Sequence, residues 1–429
     1  MRRWRGLKSM VHDAVDRTAD LVEEANASVV RTALGLLTRI EPLAEPARTV
    51  GALHGVATAG VVAAVKAVNR AVEGVTDAGL DLAAEGREAG PERPVALRSD
   101  VTGSAGWVGD AALAVVNAAV GDYLHAADNG LSLGMTLRAG DRYLPRDPAG
   151  LRAALPDPTG RVVVFVHGLG ATEWSWCLHA EAWYGDPATN FGSLLARDLG
   201  MTPVYVRYNT GRHVSENGQT LAALLDDLVR HFPVEVTELV LVGHSMGGLV
   251  VRSACHYGRE AAMPWTARVG RVFCLGSPHR GAALEKISHV AASVLQGFEA
   301  PGAWIPGRVL DGRSVGIKDL RYGYTLDEEW RGLDPDAFLD DRTVAVPLLE
   351  GPTWYFVAAT LTRDPEHPVG RLVGDLLVRV PSASGPVFAR GSFPIETRHV
   401  GAVMHHQLQS HPEVYALLRE ACTDRLASA

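Results

Sequence analysis

The stretch Val240-Leu241-Val242-Gly243-His244-Ser245-Met246-Gly247-Gly248-Leu249-Val250 decides how the rest of the chain is read. An apolar run enters a G-x-S-x-G core, and a second apolar run leaves it. This is the pattern of a nucleophile elbow, in which a serine sits on a sharp turn between a strand and a helix. The flanking glycines are needed because a β-carbon at Gly243 or Gly247 would press on the facing strand or helix. In a chain with 45 glycines the motif alone is not decisive. Its neighbours must carry the argument.

Working outward, strands alternate with helices on both sides of the elbow. Val162 to Val166 is a continuous β-branched and aromatic run, the mark of a strand buried on both faces. Pro203 to Tyr208 forms a second strand. Leu221, Leu224, Leu225, Leu228 and Val229 have the spacing of an amphipathic helix. Glu238 to Val242 enters the elbow, and a helix runs on to about Tyr257. Val269 to Leu275, Trp354 to Leu361 and Ile395 to Val400 are further strands, and Glu413 to Arg425 is a closing helix. This alternation predicts an α/β fold with a mostly parallel, doubly wound sheet. The interval 283–350 breaks the rhythm and reads as a cap- or lid-like insertion. Upstream, Ala105 to Ala127 reads as a helix. Leu131, Leu133, Met135 and Leu137 alternate as in a strand, and Pro145 to Pro158 reads as a turn-rich connection.

The residues that carry chemistry fall at the ends of these strands. A serine hydroxyl needs a base, an acid that orients the base, and donors for the oxyanion. In this kind of elbow the partners follow in the order Ser, acid, His. His167-Gly168-Leu169-Gly170 directly follows the Val162–Val166 strand, where an oxyanion loop belongs. The expected donors are the backbone N–H groups of Leu169 and Met246. His167 precedes the serine and reads as structural. Asp375 is the candidate acid, with Asp364 and Glu366 as rivals. His405 is the candidate base, with His406, His399 and His411 as alternatives; His411, beside Pro412, reads as a helix-start residue. Ser277 lacks an elbow and reads as a turn residue held by side-chain hydrogen bonds. Trp174, Trp176 and Trp183 either line an acyl pocket or pack the core.

Composition limits the alternatives. The net charge of −8 gives no reason to expect nucleic acid as a partner. The four cysteines, Cys177, Cys255, Cys274 and Cys422, have no metal-type spacing and are expected to be free thiols. No cofactor or metal is expected. Residues 1–98 are rich in Ala and Val at helical spacing. They read as a helical region packed on the main domain, with docking on a lipid or polymer surface as the sharper reading. Residues 99–159 connect this region to a catalytic domain at 160–429. The basic start lacks the apolar core of a signal peptide, and Val56 to Val65 is too short to span a bilayer, so a cytoplasmic protein is expected.

Taken together, FVHGLG, VYVRYNTGRHVSENG, LVLVGHSMGGLV, LGSPHRGA, GDLLVRVPSASG and HHQLQSHPEVY resemble the bacterial α/β-hydrolase esterase/lipase family. That family is similar to triacylglycerol lipases and to the catalytic domain of GPI inositol-deacylases. The resemblance runs from about Gly160 to the carboxyl terminus. It implies hydrolysis of carboxylic esters with lipid-like acyl chains through Ser245, Asp375 and His405, without a cofactor. The family's acid motif resembles G-D-G-L-V-P-V-x-S-A; Gly374-Asp375 match it, and Leu376 departs from it. The family's base precedes L-x-x-H-P-x-V-Y, which selects His405 over His406. Two alternatives use the same sequence differently. One is acyl transfer to an alcohol by the same triad. The other is a granule- or lipid-surface protein docked by its amino-terminal helices.

Overall fold

Eight strands form one sheet in the order β2-β1-β4-β3-β5-β6-β7-β8. They are β1 (Thr136–Ala139), β2 (Arg142–Tyr143), β3 (Arg161–Val166), β4 (Thr202–Arg207), β5 (Glu238–His244), β6 (Val269–Leu275), β7 (Thr353–Thr360) and β8 (Ile395–Gly401). The computed structural model describes residues 105–140, 142–282, 314–332, 344, 346–360, 362–364, 378, 380–383 and 394–423. The chain divides into two compact units. The first comprises 1–93 and 127–131, of which only the turn 127–131 is among the described residues; the amino-terminal region 1–98 lies outside them. Everything below concerns the second unit.

From β4 to β8 every pairing is parallel, whereas β1 runs antiparallel to both β2 and β4. The helices used below are α1 (Ala105–Ala126), α2 (Pro148–Ala154), α3 (Phe191–Leu199), α4 (Val214–His231), α5 (Met246–Glu260), α6 (Val315–Tyr322), α7 (Asp327–Trp330) and α8 (Pro412–Thr423). Two apolar layers sandwich the sheet. Leu239 and Leu241 of β5 face one layer with α4 and α5, while Val240 and Val242 face the other with α3 and α8. Each such Val or Leu taken out of water contributes about 1.5–3 kcal/mol, so the continuous apolar runs read from sequence become the two-sided interior.

Two local readings are corrected. The alternation from Leu131 to Leu137 is not one strand: β1 begins at Thr136. The connection 145–158 contains α2, because the Asp147 side chain accepts the Gly150 N–H and Pro148 stands at the helix start. The insertion after β6 is docked along its described part. The Ser314 hydroxyl donates to Ala118 O (2.6 Å) and the Gly316 N–H to Gly211 O (3.1 Å). Asp319 accepts the Val214 N–H (2.8 Å) and faces His213 Nδ1 (3.1 Å). The Trp330 indole donates to Ser215 Oγ (2.9 Å), and the Ser253 hydroxyl donates to Thr325 O (2.7 Å). Residues 283–313 and 333–343 lie outside the described residues.

A buried ion cluster ties α1, β1 and β4 to the segment after β3. Arg207 holds Glu173 through Nε (2.7 Å) and Nη2 (2.5 Å), and Nη2 also reaches Asp110 (2.8 Å). Arg138 Nε lies 3.0 Å from the same Glu173 carboxylate. Burial opposes the Arg207 charge, but the Glu173 bonds and charge outweigh it and raise its pKa. Removing one member of such a cluster leaves an uncompensated buried charge.

The elbow is a tight backbone crossing in this frame. A β-carbon at Gly247 would lie 2.2 Å from Val166 O, and one at Gly243 would lie 2.5 Å from Gly248 N. Gly247→Ala is therefore expected to lower the unfolding free energy by about 1–3 kcal/mol. Gly134→Ala, where nothing lies within 4 Å, should stay within about 0.5 kcal/mol. Urea unfolding of the two variants checks the contrast.

Candidate active site

Ser245 follows the last residue of β5 and caps α5 with φ 55° and ψ −123°, a backbone that side-chain-bearing residues rarely adopt. Such strain clusters at functional sites and persists only where surroundings hold it. Here its N–H donates to Leu275 O of β6 (2.8 Å) and its carbonyl accepts the Gly248 N–H (3.1 Å). The loop after β3 passes directly over it: a β-carbon at Gly168 would lie 3.0 Å from Ser245 Cβ. Met246 opens α5, so its N–H is one of the donors that have no partner within the helix.

His405 enters from the opposite side, on a 3-10 turn (His405–Gln407) just after β8. It is buried and packs over Gly276, where φ is +60° and a β-carbon would lie 3.2 Å from the imidazole Nδ1. Gly276 follows Leu275, whose carbonyl already takes the serine N–H, so β6 brings the imidazole next to the elbow. His244 supplies a second link. Its Nε2–H donates to His405 O (3.0 Å), with ring centroids 4.9 Å apart. Burial first, and the neighbouring His405 second, hold the His244 pKa well below the usual histidine value. The sequence reading missed His244, although it occupies the variable position of the elbow motif itself.

Residues 163–416, more than half of the chain, match the sequence profile of the alpha/beta hydrolase family. The chain belongs to that family. No curated protein matches it. Among solved structures it is similar to the mature lipase BlEst2 of Bacillus licheniformis (19% identity, 62% of this chain and 92% of that one, TM-score 0.40). It is also similar to Aspergillus fumigatus lipase B (12%, 66% and 59%, TM-score 0.34) and to the Pyrococcus furiosus esterase Pf2001 (12%, 63% and 83%, TM-score 0.35). The family assignment rests on the matched sequence segment.

In this hydrolase the remaining predicted residues sort by position. Asp375 lies outside the described residues, as does Glu366. Asp364 is exposed. Of the described residues beyond Asp375, Val378 is buried with Ala358 and Ala383, and the Ser382 carbonyl accepts the His279 N–H (3.2 Å). His406 is half-buried, with its ring centroid 5.1 Å from that of the exposed His179. His399 Nε2 faces the Thr360 hydroxyl (2.7 Å). His411 precedes α8 and accepts the Glu413 N–H (3.3 Å), as expected of a helix-start residue. Leu169 is buried within the loop over the elbow. Trp176 is fully buried against Phe165 and Phe191, which makes it a core residue rather than a pocket wall. Ser277 corrects an expectation: its hydroxyl is buried against Gly248 and makes no hydrogen bond among the described residues, so the backbone fixes that turn. The four cysteines are free thiols. Among the described residues no cluster of three or more His, Cys, Asp or Glu side chains is gathered as for a metal ion. Nor is any helix among them long and apolar enough to cross a membrane.

His167 is structural, as its place before the serine suggests. Burial pushes its pKa down to about 3, and its Nδ1–H donates to Gly168 O (2.9 Å). A histidine that is neutral when folded stabilises the fold fully above its unfolded pKa of about 6.5, and that stability is lost as pH falls toward 3. Replacing His167 by Gln should flatten the acid limb of the stability curve by up to about 1.4 kcal/mol per pH unit. Urea unfolding at several pH values from 7 down to 4.5 reads that slope.

Proposed function

We propose that this hydrolase is a serine esterase or lipase acting on carboxylic esters with lipid-like acyl chains. Ser245 Oγ attacks the ester carbonyl carbon while His405 takes the hydroxyl proton. The carbonyl π electrons move to oxygen, and the N–H groups of Leu169 and Met246 hold the oxyanion. Collapse of the tetrahedral intermediate expels the alcohol, which leaves with the proton from His405. Water then attacks the acyl-enzyme with His405 again as base, releasing the acid and restoring the serine. Asp375 is assigned to orient the imidazole and to stabilise the imidazolium.

One observation carries this reading. Ser245 is held in a left-handed turn at the end of β5, with the His167–Gly170 loop packed on one side of it and His405 brought in over Gly276 on the other. The lipid-like acyl preference rests on the sequence resemblance.

Ser245→Ala should reduce p-nitrophenyl ester turnover by roughly 10³-fold or more with little change in Tm. His405→Ala and Asp375→Asn should each lower kcat by roughly 10²–10⁴-fold. If His406→Ala is the damaging change instead, the base is misassigned. A series of p-nitrophenyl esters from acetate to palmitate, assayed below and above the solubility limit, tests the acyl preference. Activity confined to the shortest soluble esters would rule out the lipid-like substrate.

A further inference from the structure

Resting on the reading just proposed, we infer that Tyr208 and Thr210, on the turn leaving β4, are positioning residues that hold the oxyanion loop in register with Ser245. The loop itself, His167-Gly168-Leu169-Gly170, has little intrinsic rigidity. Two of its four residues are glycines, and Gly170 has φ +67°. Something outside it must fix where the Leu169 N–H points.

The contacts that do so come from positions 207, 208 and 210, at and just past the end of β4. The Tyr208 hydroxyl donates to His167 O (2.9 Å), and the His167 ring stacks on the Tyr208 ring at 4.5 Å. The Thr210 hydroxyl oxygen accepts the Gly170 N–H (3.2 Å). Arg207 fixes the segment just downstream of the loop by two hydrogen bonds to Glu173. Leu169 is thus bracketed by a held carbonyl before it and a held N–H after it.

The turn that supplies these contacts is itself fastened. Asn209 accepts the Gly211 N–H (2.9 Å) and donates to Gly121 O of α1 (2.8 Å), while Asn217 of α4 donates to Asn209 O (3.0 Å). The sequence run Arg207-Tyr208-Asn209-Thr210 therefore acquires a purpose that the catalytic assignment leaves unexplained. Tyr208 and Thr210 are both buried. Burial also raises the Tyr208 pKa, so the phenol stays protonated and remains a donor.

The test uses near-isosteric variants of the full chain. Tyr208→Phe and Thr210→Val delete one hydroxyl each and keep the packing. Each is expected to lower kcat by about 10- to 100-fold with KM unchanged, since a small misplacement of an oxyanion donor costs that much. Affinity for an alkyl boronic acid, which forms a tetrahedral adduct on the serine, should fall by the same factor as kcat/KM. Thr210→Ser keeps the acceptor oxygen and should restore kcat. Wild-type kcat in both deletion variants would overturn the inference, as would a loss in Thr210→Ser equal to that in Thr210→Val. A fall in activity that follows a loss of folded protein by circular dichroism, with unchanged kcat per folded molecule, would overturn it too. If Ser245→Ala is dead while Tyr208→Phe and Thr210→Val are normal, only this inference fails. If Ser245→Ala is active, the catalytic reading fails and this inference with it.

Discussion

The elbow backbone crosses the end of β3 closer than any side chain would allow, and the candidate site depends on that crossing. Gly247 lies over the carbonyls of Val166 and His167, and Gly243 lies under the first turn of α5. Gly168 passes so close to the serine that a β-carbon there would lie 3.0 Å from Ser245 Cβ. One steric condition therefore sets both the strained serine and the loop beside it. The strain at Ser245 costs on the order of 1–3 kcal/mol. It is held by β5, buried between β3 and β6, and by α5, whose inward face packs with α4.

Charge is distributed with equal economy. His167, His244 and His279 are all buried, and burial lowers the pKa of each. They act as neutral hydrogen-bonding groups: His167 donates to Gly168 O, His244 donates to His405 O, and His279 Nδ1 accepts from Arg252 (3.1 Å). A fixed positive charge at His244, 4.9 Å from His405 between ring centroids, would oppose the imidazolium that the proposed mechanism forms there. The permanent charges Arg138, Arg207, Glu173 and Asp110 are collected instead around β1 and β4, where they offset one another.

Much of this architecture is visible in the chain itself, for identifiable reasons. Strands β3 and β5 are buried on both faces and leave uninterrupted apolar runs. The elbow must have glycines at fixed positions around one serine. The short helix α2 escaped because seven residues between prolines carry little periodicity, although Asp147-Pro148 is a good helix-start pair. The false strand at Leu131 to Met135 came from an alternation that belongs to a turn rather than to a sheet. Choosing His405 over His406 from residues alone was not decisive. In the fold His405 is buried and His406 only half-buried, with its ring beside that of His179. The ion cluster and the Tyr208–Thr210 brace were not legible, because they join side chains from α1, β1, β4 and the loop after β3, and only the folded sheet makes them neighbours.

The Asp110, Arg138, Glu173 and Arg207 cluster also orders events in time. Every member precedes the elbow in the chain, so all four side chains are synthesised before Ser245. The sheet's far edge, β8, and the turn carrying His405 come much later. At synthesis rates of about 5–20 residues per second, that interval is on the order of ten seconds. Throughout it the nascent chain carries Ser245 without His405. On the catalytic roles proposed above, the chain would not turn over esters until the turn after β8 has joined the sheet.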